Sequence, residues 1–385
     1  MNKVSREDQL VEFVRAARHA KAPFEIVAGG TRRGVGKPLD GLPQLDVSGL
    51  AGIVKYEPEE LILTALPATP LADITAALAA KNQRLGFDPA DWSRLLHSNG
   101  VTSLAGAHGT LGGAVSSDAS GSGRLRHGGA RDSLLGFAAV NGLGESFRAG
   151  SKVVKNVTGF DLPKLVCGAY GTLCVLTELT FRVYPKPQDA AVLCLNDVTP
   201  EVGFAALRKI AHSALEPVGL AYLPASMDGQ GQGTAMIKLD GAAAPLEEKI
   251  AMAHGLLGDG LQRTQDDMFA AIGSGEKFAD LAGDVWRVMI APSDAPRVAR
   301  ELNARHWLGD WAGGLIWLAA HPSDAVRIRA VAAKAQGQAM LLRASPESRA
   351  AHGLYAPQPS ALAALNRAVK AAFDPLSLFN PGRMS

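Results

Sequence analysis

At 385 residues the chain is too long for one ordinary core and reads as two or three domains; 47% hydrophobic against 20% charged residues is the balance of a globular protein in water. Lys and Arg number 39 against 37 Asp and Glu, a net +2 with no basic block, which gives a nucleic-acid partner no support, and no run of about 18 uncharged apolar residues announces a membrane span. Cys167, Cys174 and Cys194 fit neither a C-x-x-C motif nor a disulfide framework, and the polar N-terminus lacks an apolar signal core, so a reducing cytosol is expected.

Ser5 with Asp8, ahead of Leu10, Val11 and Val14, reads as the capped start of an amphipathic helix ending near residue 21. A short buried strand over 24–27 then runs into the first glycine loop, Ala28-Gly29-Gly30-Thr31-Arg32-Arg33-Gly34. Residues 53–56 and 61–66 read as paired strands around Glu57-Pro58-Glu59-Glu60, and Leu71, Ile74 and Leu78 give 71–81 helical spacing. Turn formers crowd 86–109, which reads as irregular. The second glycine loop is Gly109-Thr110-Leu111-Gly112-Gly113-Ala114-Val115-Ser116-Ser117-Asp118-Ala119-Ser120-Gly121. A strand over 134–141, the turn Gly142-Leu143-Gly144, a returning strand over 145–149 and a long alternating strand over 173–184 follow. Pro185-Lys186-Pro187 breaks the pattern and marks a domain boundary.

Beyond it the spacing predicts strands over 192–195, 219–223 and 235–239, with Gly229-Gln230-Gly231-Gln232-Gly233 as a flexible turn, and helices over 201–211 and 245–257. The alternation then recurs: strands over 286–290, 315–319 and 340–343, with helices over 295–304 and 323–335. This β-α-β order suggests a sheet with helices on one face, built as two ferredoxin-like halves. A last helix over 359–372 precedes the tail. Trp307, Trp311 and Trp317 mark a segment that suits either an interface or core packing.

Glycines lack Cβ, so the backbone N–H groups of such loops can turn inward and approach an anion. Either loop alone reads as a turn; two that converge would suit a diphosphate, which makes a dinucleotide cofactor the leading expectation. Other nucleotide motifs fail. Gly34-Val35-Gly36 and Gly142-Leu143-Gly144 reach Leu39 and Phe147 where a Rossmann fingerprint needs its third glycine. Gly36-Lys37 has Thr31 and Pro38 where a phosphate-binding loop needs glycine and a hydroxyl residue. No Gly-x-Ser-x-Gly elbow surrounds Ser117, Ser120 or Ser122.

Gly29-Gly30-Thr31, Thr110-Leu111-Gly112-Gly113, Arg131-Asp132-Ser133-Leu134-Leu135-Gly136 and Gly171-Thr172-Leu173-Cys174-Val175-Leu176-Thr177-Glu178 follow one another in the order found in the vanillyl-alcohol oxidase and p-cresol methylhydroxylase (PCMH) flavoproteins. The resemblance covers about residues 5–187 and 353–385. Lys152-Val153-Val154-Lys155-Asn156-Val157-Thr158-Gly159-Phe160-Asp161-Leu162, and the tail Phe373-Asp374-Pro375 with Phe379-Asn380-Pro381-Gly382-Arg383-Met384, resemble the 2-hydroxy-acid dehydrogenases of that superfamily. Within it the chain is similar to the FAD-binding subunits of bacterial glycolate oxidases, which work with a larger flavin subunit and an iron–sulfur subunit.

The resemblance implies an α+β fold: a PCMH-type FAD-binding domain of two α+β subdomains over 1–187, a ferredoxin-like α/β cap over 188–352, and a segment, 353–385, that returns to the first domain. It implies non-covalent FAD, since no tethering His stands in the first loop. Ala28, Gly29, Gly30, Thr31, Arg32 and Arg33, with Thr110, Leu111, Gly112, Gly113 and Ala114, would bind the FAD diphosphate through backbone amides and the two threonine hydroxyls. Ser117, Ala119, Ser120 and Gly121 would line the same channel, Gly171, Thr172 and Val175 would approach the adenine or ribose, and Asn380 would return over the flavin ring. Either Arg32 or Arg33 would offset phosphate charge, or stand as an exposed turn residue. Tyr170 stands where relatives carry a different residue and would alter the ring environment.

The implied activity is oxidation of glycolate or a related 2-hydroxy acid to the 2-oxo acid within a complex of this chain, the larger flavin subunit and the iron–sulfur subunit. The place is cytoplasmic, with any inner-membrane association made through partners. Catalytic relatives carry paired metal-binding histidines; here His254-Gly255 with Gly258-Asp259-Gly260 is only a loose echo and His306, His321 and His352 are scattered, so no metal site and no catalytic residue is assigned. Two alternatives stay open. One is an independent FAD dehydrogenase with Arg287, Arg343 and Arg349 as candidate carboxylate clamps, unless all three are solvated or salt-bridged. The other is a non-catalytic assembly subunit with a structural flavin.

Overall fold

The structure, a computed structural model, describes residues 2–97, 108–150, 160–228 and 231–384. Residues 152–159 of the 152–162 motif and Gly229-Gln230 of the glycine turn lie outside the described residues.

Three sheets organise the chain. The first joins Asn2–Lys3, Gln44–Asp46 and Glu25–Val27 in parallel. Helix Glu7–Ala20 serves the same small core through Leu10, Val14 and Ala17, one face at helical spacing. It starts one residue later than Ser5 suggests. Arg6 occupies the cap position without capping the helix through its side chain, Gln9 reaches back to the Ser5 amide (2.9 Å), and Asp8 is held by Arg6 (3.0 Å).

The second sheet is antiparallel in the order Ile53–Glu57, Ile62–Ala65, Val175–Pro185, Leu134–Val140, Ser146–Gly150, with Gln83–Leu85 also paired to Val175–Pro185. Val175–Pro185 is its spine, and Leu179, Phe181 and Val183 are fully buried at every second position. Among its described residues the stretch expected to be irregular contains one short helix, Ser93–His97.

The third sheet has eight strands: Leu261–Thr264, Asp189–Leu195, Gly233–Gly241, Gly219–Pro224, His306–Asp310, Leu315–Ala320, Asp284–Met289 and Gln338–Arg343. Each half is a β-α-β-β-α-β unit with its fourth strand beside its first. The two units join where Gly219–Pro224 pairs His306–Asp310. Leu261–Thr264 and His306–Asp310 complete the halves and were not foreseen as strands. Alternate residues face opposite ways: Leu193, Trp286 and Ile316 pack under the helices Pro200–Ala211, Ala243–Leu257, Ala295–Leu302 and Ala325–Lys334. Val192, Val285 and Trp317 pack against Trp92, Leu95, Ala119 and Tyr170 of the first half. The sheet is therefore covered on both faces. Trp317 is fully buried and Trp307 lies among Phe204 and Tyr222, so these tryptophans are core residues.

After helices Pro346–His352 and Ser360–Phe373 the tail returns to the first sheet. The Phe24 amide donates to the Leu378 carbonyl (2.9 Å), and the rings of Phe24 and Phe379 meet at 5.5 Å. No helix among the described residues is long and apolar enough to cross a membrane.

Candidate functional site

A cleft with about 870 Å³ of empty space, part of it open to solvent, runs between the first and second sheets. Its floor is Ile26 and Val27 from one sheet and Val175 and Leu176 from the other.

The first glycine loop supplies one whole side of it, Ala28, Gly29, Gly30, Thr31, Arg32 and Arg33. A Cβ on Gly29 would stand 1.9 Å from the His108 carbonyl, so only glycine lets the loop lie this close to the chain leading into Thr110. Gly30 takes a φ of +73°, turning the loop.

The second glycine segment is not a loop. Leu111–Ser117 is a helix capped by the Thr110 hydroxyl, which accepts from the Gly113 amide (3.1 Å). Its glycines serve close packing: a Cβ on Gly112 would stand 2.7 Å from Pro67 Cβ. The Leu111 amide donates to Thr69, Gly112 to Pro67 and Ala114 to Thr110, all backbone carbonyls at 2.7–3.0 Å. The amides expected to hold a diphosphate here are thus engaged by the protein. Thr110, Gly112, Gly113, Ser116 and Ser117 form the opposite wall of the cleft.

Other expected residues divide in the same way. Gly171, Val175 and Asn380 line the cleft. Leu111 and Ala114 are buried beneath the helix, and Ala119 lies in the core facing the third sheet. Ser120 and Gly121 sit where the two halves meet: the Gly121 carbonyl accepts from Trp311 Nε1 (3.0 Å). Thr172 is turned away, its hydroxyl donating to the Ala169 carbonyl (2.7 Å).

The structure separates the two loop arginines. Arg33 is paired with the buried Glu25 at 2.8 Å. Among the described residues Arg32 has no carboxylate partner within ion-pair distance; it donates to the Ser117 hydroxyl (2.8 Å) and the Ala90 carbonyl (2.9 Å), and its guanidinium lies 4.8 Å from the Trp92 ring. Its buried Nε has no partner among the described residues, and burial holds the group down to about 10. An unpaired guanidinium in the wall of an elongated cleft suits an anionic ligand.

Asn380 closes the end of the cleft as a tie. Its oxygen accepts from the Ile26 amide and its nitrogen donates to the Tyr170 carbonyl, each at 2.9 Å, so neither end is turned to a ligand. Tyr170, expected in the ring environment, lines the cleft, as do Cys174, Pro67, His108 and Arg383, which were not singled out as contacts. Tyr170 and Gly171 take φ values of +51° and +65°, a turn that presents both to the cleft. Burial pushes the Cys174 thiol up to about 12, which makes it an unreactive wall. Arg383 donates to the Arg33 and Val35 carbonyls and to Glu25, fastening the first loop from behind. A Cβ on Gly36 would meet the Arg383 carbonyl at 2.1 Å.

Among the described residues no group of three or more His, Cys, Asp and Glu side chains is arranged to hold a metal ion.

The family described as FAD binding domain matches residues 3–150. Over 380 residues the chain is 32% identical to "Glycolate oxidase subunit GlcE" of Escherichia coli (strain K12), covering 97% of this chain and 96% of that one. It is 27% identical over 186 residues to "Glycolate oxidase subunit GlcD" of Bacillus subtilis (strain 168), covering 48% and 37%. It is 32% identical over 114 residues to a D-lactate dehydrogenase of Archaeoglobus fulgidus, covering 30% and 26%. Among solved structures, p-cresol methylhydroxylase with substrate bound superimposes with a TM-score of 0.69 at 15% identity, over 99% of this chain and 88% of that one. An alkyldihydroxyacetonephosphate synthase gives 0.69 at 14% identity, over 98% and 75%. At those identities the likeness is one of fold.

Proposed function

The chain belongs to the family of FAD-binding glycolate oxidase subunits, and from that membership we propose that FAD lies non-covalently along the cleft between the first and second sheets. One observation carries this reading. The first glycine loop, the Thr110 turn and the Tyr170-Gly171 turn, far apart in sequence, line a single cleft with an unpaired guanidinium in its wall.

In this reading the diphosphate lies against Ala28 to Arg33 and the Thr110 side chain, and Arg32 balances its charge. Arg33, Glu25 and Arg383 hold the loop in shape from behind. Tyr170 and Gly171 border the end of the cofactor nearest the third sheet, where Trp92 and Trp317 exclude water. Residues 1–187 with 353–385 then act as the cofactor domain and 188–352 as the cap. Bound FAD would supply the acceptor for a hydride from C2 of a 2-hydroxy acid, whose hydroxyl proton leaves to solvent as the 2-oxo acid forms. The chain works as one subunit of a multi-subunit glycolate oxidase, with a second flavin subunit and an iron–sulfur subunit as its partners and membrane association through them.

The test is the visible spectrum of the purified chain followed by acid precipitation. Flavin absorbance that passes into the supernatant as FAD supports a non-covalent site. A protein that is colourless, and stays so after incubation with excess FAD, overturns the proposal.

A further inference from the structure

We propose that Arg287 is an anchor for the carboxylate of a small 2-hydroxy acid, at a site beside the cleft wall formed by Arg32 and Tyr170. This rests on reading the chain as a flavin-dependent 2-hydroxy-acid oxidoreductase.

Three arginines of the second half present themselves as carboxylate clamps, and the structure distinguishes them. Arg343 donates to the carbonyls of Phe278, Ala279, Leu281 and Gly283, so its guanidinium is spent within the fold. Arg349 donates to the Arg33 and Gly36 carbonyls and is a brace for the first loop. Arg287 is different. It projects from strand Asp284–Met289 on the face turned toward the first half and is only 5% exposed. Its guanidinium carbon lies 5.4, 5.3 and 5.1 Å from the ring centres of Trp92, Trp311 and Trp317. It makes no hydrogen bond or ion pair within the described residues, and its buried Nε has no partner there.

A buried cation without a counter-ion is costly. Ring faces attract its charge but take none of its N–H donors. Each of the neighbouring carboxylates already has a partner. Asp310 accepts from the Ser122 hydroxyl (2.7 Å) and the Trp311 amide (2.8 Å), and Asp118 is paired with Arg124 (2.9 Å).

The surroundings offer further donors. Arg32 lies over the same Trp92 ring with its own Nε orphaned, and Trp92 Nε1 and Trp317 Nε1 are buried without partners among the described residues. Burial holds both guanidiniums down to about 10, and an anion between them reverses that direction. The planar fork of donors matches a carboxylate.

The test uses the full-length, flavin-loaded chain and oxalate, which carries the carboxylate but has no C–H hydrogen to surrender. Binding is read by calorimetry and by perturbation of the flavin spectrum, with sodium chloride and sodium sulfate at matched ionic strength. Saturable oxalate binding is expected, weakened about tenfold or more in Arg287→Gln, with flavin content per chain unchanged. Oxalate binding in Arg287→Gln equal to wild type, no binding by flavin-loaded wild type, or equal binding of chloride overturns the assignment. If Arg287→Gln does not fold, Arg287→Lys carries the test, since a point charge replaces the fork: affinity must fall there too, and an unchanged isotherm overturns the proposal. Flavin content reads the cofactor proposal separately, because calorimetry reports the anion site whether or not the chain arrives coloured.

Discussion

The side-chain oxygen of Asn380 accepts the backbone N–H of Ile26 at 2.9 Å, a bond that spans 354 residues and fixes the tail to the strand entering the first glycine loop. The same amide group donates to the Tyr170 carbonyl at 2.9 Å, so one side chain holds three distant segments at the end of the cleft. Asn380 has a φ of +40°, a left-handed conformation that asparagine tolerates better than alanine. Asn380→Ala leaves an amide and a carbonyl unpaired, at a cost of about 1–3 kcal/mol for each buried group. The expected result is a fall of several degrees in Tm together with loss of flavin during purification. Asn380→Asp keeps the bond to Ile26 but sets an oxygen against the Tyr170 carbonyl, and does not rescue. Thermal unfolding followed beside flavin absorbance checks both; two variants that melt with the wild type contradict the tie.

Two glycine substitutions are expected to move stability in opposite directions. Gly29→Ala places its Cβ 1.9 Å from the His108 carbonyl and 3.0 Å from Thr110 Cγ2, which pries the two walls of the cleft apart. A lower Tm and poor flavin retention follow. Gly255 lies in helix Ala243–Leu257 with nothing within 4 Å of the added carbon, so Gly255→Ala gains about 0.5–1 kcal/mol from reduced chain entropy. Denaturant titration of the pair against wild type reads both signs in one experiment.

How far the sequence was legible follows from what each signal measures. The first loop was readable because strand, glycine pair and turn are contiguous, and the recurring helix–strand pattern revealed the two halves of the third sheet. Leu261–Thr264 escaped because it buries only Leu261, and its neighbours Gln262 and Arg263 point to water. His306–Asp310 escaped because its glycine is demanded by a distant ring: a Cβ on Gly309 would meet Phe204 Cζ at 2.5 Å. The same holds for Gly112, which reads as part of a loop but sits in a helix pressed against Pro67. Arg287, Tyr170 and Trp92 come together only when the third sheet folds against the first half, a juxtaposition that no local spacing encodes.

Glu25 gives the first pH dependence. It is 2% exposed and bound by Arg33 at 2.8 Å and Arg383 at 2.7 Å. Burial alone pushes its carboxyl up, but the hydrogen bonds and charges of Arg33 and Arg383 outweigh it and hold the group below its ordinary 4.5. A carboxyl depressed in the folded state stabilises at pH values above 4.5, and that contribution is lost as pH falls through the lowered folded value. Stability is therefore expected to stay level in this respect down to about pH 4.5 and then drop. Glu25→Gln leaves the buried Arg383 without its counter-charge, and breaking a buried pair in this way costs about 3–5 kcal/mol. Its Tm deficit is expected to be large at pH 7 and to shrink below pH 4.5, as the wild type loses the same interaction. A deficit that is constant with pH counts against the pairing.

Asp310 gives the opposite slope. It is fully buried at the joint between the halves, where Ser122 and the Trp311 amide donate to it and Trp311 Nε1 reaches across to the Gly121 carbonyl. Burial pushes its carboxyl from 3.8 up to about 7, against the opposing pull of those two hydrogen bonds and of Arg287. Between these values the folded chain keeps a proton that the unfolded chain has released, so the stability this group contributes is whole below 3.8 and is lost as pH rises through about 7. Asp310→Asn stays neutral throughout and removes that slope. The variant is expected to gain on the wild type in Tm by several degrees between pH 5 and pH 8, and to run parallel to it above pH 8. Ionisation of Asp310 also sets a negative charge near Arg287, so anion binding at Arg287 is expected to weaken across the same interval in the wild type and to stay level in Asp310→Asn. Unfolding curves and oxalate isotherms of the two proteins over that pH range decide the matter: parallel curves in both would mean that Asp310 is already ionised in the folded chain.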